Sequence, residues 1–237
     1  MSDKSPLYPD EVLSGDPDGG RGRRTRSGVW LVLDSLRRRP VPRRILGTFS
    51  ILLLIGGVLL FSYPFLTNLY ADWKQSGLAE DLASADAREA WLSRTIKPGD
   101  ALTRIRIPKL GVDSIVVEGT SLAALRAGSG HYENTALPCD PGNVGIAGHR
   151  TTWSKPFANI NELAVGDRII LDTPIGRCVY ELGRNPWTTT PYDISVVAAS
   201  TNPLLTLTTC DPPGSSSERL IVRAEMIKSK LFQNSQS

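Results

Sequence analysis

The chain has 237 residues, of which 41% are hydrophobic and 22% are charged. That length accommodates one domain of ordinary size together with appendages. A net charge of +3 is too close to balance for a chain whose main task is binding nucleic acid, so no nucleic-acid partner is expected.

The first 44 residues are rich in arginine, proline and glycine. Nine arginines lie between Arg21 and Arg44, against one acidic residue, Asp34. This composition offers little apolar surface to bury, so residues 1–44 are expected to be disordered. A basic arm can bind nucleic acid, but the apolar segment that follows explains the same arginines without a second partner.

An uncharged run, Ile45 to Leu66, follows the arginines directly. A helix of that length is about 33 Å long, close to the hydrocarbon thickness of a bilayer, so residues 45–66 are predicted to form a transmembrane helix. A buried core helix and a cleaved signal peptide are the alternatives. The long leader and the lack of an A-x-A site argue against cleavage. The positive-inside rule keeps residues 1–44 in the cytoplasm and exports the rest, which predicts a signal anchor in the cell membrane.

Residues 67–100 are interpreted as an extracellular stalk that contains a short exposed helix between Ser76 and Arg94. From Ala101 the pattern changes to short apolar runs separated by turn residues. These runs are "LTRIRIPKLG", "SIVVEG", "NVGIAGH", "DRIILDT", "CVYELG", "LLTLTTC" and "RLIVRAEMI". They predict a mainly β domain over residues 101–230, as a closed barrel, with small helices near "SLAALRAG" and "PFANINEL" and a C-terminal tail at 231–237.

Three cysteines, Cys139, Cys178 and Cys210, fall in the exported part. An odd number in an oxidising compartment leaves at least one thiol free or in an intermolecular pair. A zinc site with His131 and His149 is an alternative use, but no C-x₂-C or H-x₃₋₅-H pair occurs, so no metal site is predicted. Cys139 and Cys178 either pair as a disulfide or stay as small apolar side chains.

Cys210 ends the run "LLTLTTC", and strand alternation places Thr206, Thr208 and Cys210 on one face. A thiol nucleophile needs a base or a positive charge nearby. His149 closes the run "NVGIAGH", and Arg219 opens the run "RLIVRAEMI". From these residues alone, Cys210 is either a packed strand residue or a nucleophile with His149 as base and Arg219 as a fixed cation.

Three segments resemble the catalytic motifs of the sortases, the cysteine transpeptidases that attach proteins to Gram-positive cell walls. "TLTTC" matches their T-L-x-T-C signature, "GNVGIAGHRTT" resembles the segment of their catalytic histidine, and "ERLIVRA" resembles the strand of their arginine. The resemblance covers about residues 101–227 and is greatest to class E, with class D next. It implies an eight-stranded sortase-type β-barrel with short helices, preceded here by one transmembrane helix.

The resemblance also implies a ping-pong reaction. Cys210 would attack the Thr-Gly bond of an L-P-x-T-G or L-A-x-T-G sorting motif in a secreted protein, and an amine of a lipid-linked peptidoglycan precursor would resolve the acyl-enzyme. His149 would transfer protons, while Arg219 would hold the substrate and the oxyanion, supported by Thr208 and Thr209. No cofactor is implied, and no acidic cluster indicates the calcium site of class A.

Two other functions stay open. One is a hydrolytic cysteine protease that passes the same acyl-enzyme to water, and the other is an anchored binding domain without activity. His131 is interpreted as a loop residue near the cleft and not as the catalytic base. Trp153 and Trp187 either line a substrate groove or pack in the core or on the surface. Because Cys210 must stay reduced to react, the other two cysteines are favoured as disulfide partners.

Overall fold

The computed structural model describes Asp34 and residues 40–231. The rest of the predicted basic tail before residue 40, and the predicted C-terminal tail after residue 231, lie outside the described residues. The chain divides into two compact units, Met1–Gly57 and Val58–Ser237. The second unit holds the predicted catalytic domain.

One long helix, α1, spans Pro40–Leu82. Among the described residues it is the one helix long and apolar enough to cross a membrane, with a mean hydropathy of 2.4 over its most apolar window. Its large apolar side chains in the predicted span are exposed, as expected for a lipid-facing segment. The helix continues past Leu66, so the first part of the predicted stalk is helical.

A second helix, α2 (Ala85–Ser93), follows after a two-residue break. Ser84 caps its N-terminus by accepting a hydrogen bond from the backbone N–H of Ala87, and Arg94 ends it in the left-handed conformation. Trp91 is only 2% exposed. The other residues of α2 are exposed or half-buried, so this part of the expected exposed helix forms but buries one aromatic side chain.

The described residues contain nine strands: β1 (Ala101–Ile107), β2 (Val112–Glu118), β3 (Ser129–His131), β4 (Asn143–Ala147), β5 (Arg168–Thr173), β6 (Gly176–Leu182), β7 (Trp187–Thr189), β8 (Leu204–Asp211) and β9 (Glu218–Leu231). Each of the seven apolar runs forms a strand. The two additional strands, β3 and β7, have three residues each.

Eight of these strands close into a barrel. Their order is β6-β5-β1-β2-β3-β4-β8-β9, and β9 pairs again with β6. The 14-residue β9 makes this closure because its first part pairs with β8 and its second part with β6. The short β7 pairs with β9 outside the circuit. The predicted eight-stranded barrel is confirmed, with one strand added at its edge.

Aliphatic side chains from alternate strand positions fill the barrel. In β8, Leu205 and Leu207 are fully buried in this core. Because side chains alternate along a strand, Thr206, Thr208 and Cys210 lie on the opposite face of β8. The pattern of the strand thus directs the thiol out of the barrel.

The connections contain little helix. A six-residue helix, α3 (Leu122–Ala127), forms where "SLAALRAG" predicts one, and the hydroxyl of Ser121 caps it by accepting from the N–H of Ala124. The segment "PFANINEL" forms only a 3₁₀ turn, Ile160–Glu162. That turn lacks a capping side chain at its N-terminus, so a longer helix is not supported there.

Candidate active site

Cys210 and Arg219 lie directly opposite each other in the antiparallel pair of β8 and β9. Side chains at directly opposite positions share a face, with Cβ atoms about 5 Å apart. The register is fixed by eight successive pairs along the two strands. Cys210 is a free, half-buried thiol, and the ladder places the backbone of a permanently charged residue directly opposite it.

The guanidinium of Arg219 also contacts the loop that joins the two strands. Its Nη1 donates to the carbonyl oxygens of Ser216 at 3.1 Å and Glu218 at 3.0 Å. Arginine keeps its proton in proteins, so Arg219 can donate hydrogen bonds and stabilise negative charge but cannot act as a base.

His149 reaches the same end of the barrel from the neighbouring strand. In the parallel pair of β4 and β8, Ala147 lies opposite Thr208, and the N–H of Gly148 extends the ladder by donating to the carbonyl of Thr208 at 3.1 Å. His149 lies two residues after Ala147, and Cys210 lies two residues after Thr208. They therefore leave adjacent strands, spaced about 4.8 Å apart, at the same level.

The peptide before His149 is held on both sides. Thr209 Oγ1 donates to the carbonyl of Gly148 at 2.7 Å. A Cβ on Gly148 would lie 2.5 Å from the ring of Phe157, so only glycine leaves room for that buried ring. The N–H of Phe157 in turn donates to the carbonyl of His149 at 3.2 Å. The glycine before the histidine thus lets the following loop fold back against the strand end.

Both predicted support residues, Thr208 and Thr209, are buried and bonded within the protein. Thr208 Oγ1 lies 2.9 Å from the hydroxyl of Tyr132, and the hydroxyl of Thr209 donates to the carbonyl of Gly148. These contacts position the strand end. Their part in the oxyanion environment stays a prediction.

The pKa of His149 is lowered from its ordinary value, first by burial and second by the charge of Arg126. The guanidinium of Arg126, in α3, also lies 5.4 Å from the ring centre of Trp153, within cation–π range. A lowered pKa favours the neutral imidazole near neutral pH, which is the form that accepts a proton.

Arg150 is a residue of this site that sequence reasoning missed. Its side chain is 8% exposed and forms an ion pair with Asp211. It also donates to the carbonyl of Cys210 at 3.3 Å and to Oδ1 of Asn161 at 3.1 Å. Arg150 therefore holds the end of β8 against the loop after β4. The signal was present in the sequence, because residues of opposite charge directly follow His149 and Cys210.

His131 is not part of the site. It belongs to β3 and is fully buried, with Nδ1 2.8 Å from Oε2 of Glu118 and Nε2 2.9 Å from the carbonyl of Ala136. The expectation of a loop residue near the cleft is wrong, because "SGH" pairs with both β2 and β4. Its role is to bond buried polar groups within the barrel.

Cys139 and Cys178 form a disulfide, with a Cα–Cα distance of 5.5 Å. Cys178 is fully buried in β6, and the hydroxyl of Tyr180 accepts a hydrogen bond from the N–H of Cys139 at 3.2 Å. Burial raises the pKa of Tyr180 to about 12. Cys210 is left as the free thiol.

The two tryptophans considered for a substrate groove are half-buried and lie outside the barrel core. The guanidinium of Arg184 stacks 3.8 Å from the ring centre of Trp187. Trp153 meets the ring of Tyr70 edge-on, with 5.8 Å between centroids. Core packing is thereby excluded for both.

The described part of the chain contains no group of three or more histidine, cysteine, aspartate or glutamate side chains arranged to hold a metal ion. Metal independence of the activity stays a prediction.

Comparisons with known proteins agree with this geometry. A family model described as "Sortase domain" matches residues 105–227. Sortase SrtE1 of Streptomyces coelicolor is 32% identical over 179 residues, a match that covers 69% of this chain and 51% of that protein. Sortase D of Bacillus subtilis is 29% identical over 132 residues, covering 54% of this chain and 65% of that protein. This chain thus spans about half the length of the first relative and under two thirds of the second.

A solved structure of a Clostridium perfringens sortase D5 transpeptidase has the same fold. Its TM-score is 0.58 at 33% identity, and the match covers 66% of this chain and 98% of that one. The relatives of classes E and D agree with the order of resemblance expected from the motifs.

Proposed function

The chain belongs to the sortase family of cysteine transpeptidases, and on that premise we propose that Cys210 cleaves the Thr-Gly bond of an L-P-x-T-G or L-A-x-T-G sorting motif and transfers the protein to an amine of a cell-wall peptidoglycan precursor. The observation that carries this proposal is the strand register that brings three residues to one end of the barrel. They are a free half-buried thiol, an arginine directly opposite it, and a histidine at the matching level of the next strand.

In the first half-reaction, His149 takes the proton of the Cys210 thiol, and the sulfur attacks the threonine carbonyl carbon. Negative charge develops on the carbonyl oxygen, where Arg219 donates hydrogen bonds. The carbon–nitrogen bond to glycine then breaks, and the imidazolium of His149 protonates the leaving amine. A thioester on Cys210 remains.

In the second half-reaction, the acceptor amine attacks the thioester carbonyl and gives a proton to His149. The carbon–sulfur bond breaks, a new amide forms, and the sulfur of Cys210 recovers its proton. The lowered pKa of His149 supports this cycle, because a neutral imidazole is available to accept a proton in each half.

We also propose the cellular arrangement. One candidate transmembrane helix near the N-terminus fits a membrane-anchored sortase. In this arrangement residues 45–66 span the cell membrane, and the arginines before them support an orientation with residues 1–44 in the cytoplasm and residues 67–100 and 101–230 outside. The partners are then secreted proteins with a sorting motif and the amine of a lipid-linked precursor.

The test is to incubate the full chain in detergent micelles with sorting peptides of both motifs, with and without a peptide amine such as triglycine. We expect an amide product that forms only with the amine, and we expect Cys210→Ala to fold normally and form none. Hydrolysis that ignores the amine would favour the protease. Undiminished activity of the Cys210→Ala variant would overturn the assignment of the nucleophile. Activity in neither form, with either motif, would favour a binding domain.

A further inference from the structure

The part of α1 that follows the apolar run packs against the catalytic domain. We call residues 68–75 the juxtamembrane segment. Within it Ala71 is fully buried, whereas Leu69 and Trp73 on the other side of the helix are exposed by 56% and 67%. The segment therefore presents one face to the domain, as a docked helix does and a free stalk does not.

One contact of the juxtamembrane segment is with the loop after His149. The N–H of Ser154 donates to Oδ1 of Asn68 at 2.9 Å, and Oγ of Ser154 donates to Oδ1 of Asp72 at 2.8 Å. The ring of Tyr70 packs against that of Trp153. Two side chains of one helix thus accept hydrogen bonds from the backbone N–H and the hydroxyl of a single loop residue.

The loop has a backbone that needs such support. Trp153, Ser154 and Lys155 have φ values of 53°, 58° and 38°. Residues with a side chain rarely adopt the left-handed region, and successive residues in it are disfavoured further. A conformation of this kind persists only where its surroundings hold it, and Ser154, bonded by α1, is the middle residue of the three.

A second contact of the juxtamembrane segment is with the end of α3, the helix that carries Arg126. Gln75 Nε2 donates to the carbonyl of Ala127 at 2.8 Å and to that of Ile115 at 3.0 Å, while its Oε1 accepts from the N–H of Ile115 at 2.6 Å. Ala127 ends α3 and directly follows Arg126. Gln75 thereby ties the end of α3 to β2.

A glycine makes room for this contact. A Cβ on Gly128 would lie 2.3 Å from Nε2 of Gln75 and 3.1 Å from the carbonyl oxygen of Ile115. Any larger residue at position 128 would displace the Gln75 amide from its carbonyl partners. The contact between Gln75 of α1 and the end of α3 therefore requires a glycine at position 128.

We propose that the juxtamembrane segment is a positioning element for His149: Asn68 and Asp72 fix the loop that follows it, and Gln75 fixes the end of α3, whose Arg126 stacks on Trp153 of that loop. The barrel is then fully active only with this part of α1 docked. The inference rests on the proposed catalytic role of His149, and its residues act through the histidine without touching substrate.

The main test compares full-chain variants in detergent micelles by amide formation from a sorting peptide. Asn68→Ala with Asp72→Ala should lower kcat on the order of 10-fold, because small displacements of a catalytic group slow the reaction strongly, and should change KM by less than about twofold. Asn68→Asp with Asp72→Asn keeps both Oδ1 acceptors and the net charge, and should restore kcat. The exposed Leu69→Ala is the matched control on the same helix.

The pH–rate profile supplies a readout that loss of stability alone does not change. When the loop relaxes and the imidazole is better solvated, the limb that belongs to His149 should move to higher pH in the Asn68→Ala, Asp72→Ala variant. Thermal unfolding of every variant reports the folded fraction. A kcat that falls only in proportion to that fraction, with an unchanged profile, would overturn the proposal.

Gly128→Ala is a second test of the proposal, because it disturbs the Gln75 contact and leaves the bonds of Ser154 unchanged. It should lower kcat in the wild-type background and have little further effect in Gln75→Ala, because both changes remove the same contact. Independent, multiplicative effects would contradict the proposal. The proposed function fails separately: it is lost if His149→Ala retains full activity, whereas an inactive His149→Ala beside fully active segment variants removes only the positioning role.

Discussion

The two sides of the candidate site are built in different ways. On the cysteine side, Cys210 and Arg219 lie opposite each other in two consecutive strands, within a ladder of eight successive pairs. On the histidine side, His149 precedes a loop with three left-handed residues, and Ser154 in that loop bonds to Asn68, 86 residues earlier. The partner opposite Cys210 is thus supplied by neighbouring sequence, whereas the loop after His149 is held by contacts from distant parts of the chain.

Removing the disulfide should have the largest effect on stability and leave both sides of the site unchanged. The two cysteines are 39 residues apart, so replacing Cys139 and Cys178 by alanine should lower the free energy of unfolding by about 4 kcal/mol in the loop-entropy estimate. Urea unfolding measures the loss, and a reductant should destabilise only the wild type. A change in kcat of the folded fraction would show that the disulfide also shapes the site.

Arg219→Lys tests the cysteine side alone. The charge remains, but the planar fork of donors is lost, so kcat should fall by about 10²–10³-fold, as for loss of an oxyanion donor. The melting temperature should stay close to that of the wild type, because the strand ladder is unchanged. Arg168→Lys, at an exposed ion pair with Glu181, is the control and should have wild-type kinetics. Full activity of Arg219→Lys would remove the oxyanion role.

Arg150→Gln breaks the link between the two sides. It leaves the largely buried carboxylate of Asp211 without its cation, so the free energy of unfolding should fall by about 3 kcal/mol. Asp211→Asn in the same chain should recover part of that loss, because the unpaired charge is removed. Chemical denaturation of the single and double variants measures both effects. Additive losses would mean that the pair does not couple the two sides.

Gly148→Ala affects the histidine side through packing. The added methyl group would lie 2.5 Å from the Phe157 ring, so we expect a loss of about 1–2 kcal/mol in unfolding free energy, with a fall in kcat. Gly183→Ala is the matched control, since a Cβ there has no neighbour within 4 Å. Equal effects of the two substitutions on kcat would argue against a packed histidine loop.

Arg126→Gln should have the smallest effect, because burial and not Arg126 is the first cause of the lowered His149 pKa. Removing the cation should raise the His149 pKa toward its ordinary value, which moves its limb of the pH–rate profile to higher pH. Arg126→Lys keeps the charge and should leave the limb in place. Histidine NMR signals followed through a titration measure the same shift directly, and a shift to lower pH would contradict the electrostatic cause.

The same pKa has a consequence for stability. A histidine whose native pKa lies below its unfolded value is protonated first in the unfolded chain. Stability is therefore complete above the unfolded pKa of about 6.5 and falls as pH drops below it toward the native pKa. Arg126→Gln should make that loss smaller, and urea unfolding as a function of pH measures it.

The contrast between the two sides also explains what the sequence could predict. All the long strands follow from their apolar runs, because alternation and turn residues are local signals. The strands β3 and β7 were missed, since three residues cannot show a period and their pairing comes from distant partners. The apolar runs predicted a closed barrel, but they did not show that the 14-residue β9 closes it by pairing with both β8 and β6, because that pairing is a tertiary contact.

In the candidate site, the motifs identified Cys210, His149 and Arg219, which the ladder and its extension bring to one end of the barrel. The residues that hold the histidine side, such as Arg126 and Asn68, have no motif and act through tertiary contacts. The region interpreted as a stalk was the least predictable. Its apolar stripe is thin, and its polar side chains form hydrogen bonds with the catalytic domain. A hydropathy pattern cannot predict such hydrogen bonds.

The most direct measurement of the central claim is the mass of the trapped acyl-enzyme. The full chain is incubated with a sorting peptide and no amine, quenched in acid and digested. A mass increase equal to the peptide up to its threonine is expected on the fragment that contains Cys210, removable by an added amine. A modification on another residue, or turnover without any covalent adduct and undiminished in Cys210→Ala, would contradict the assignment of Cys210 as the nucleophile.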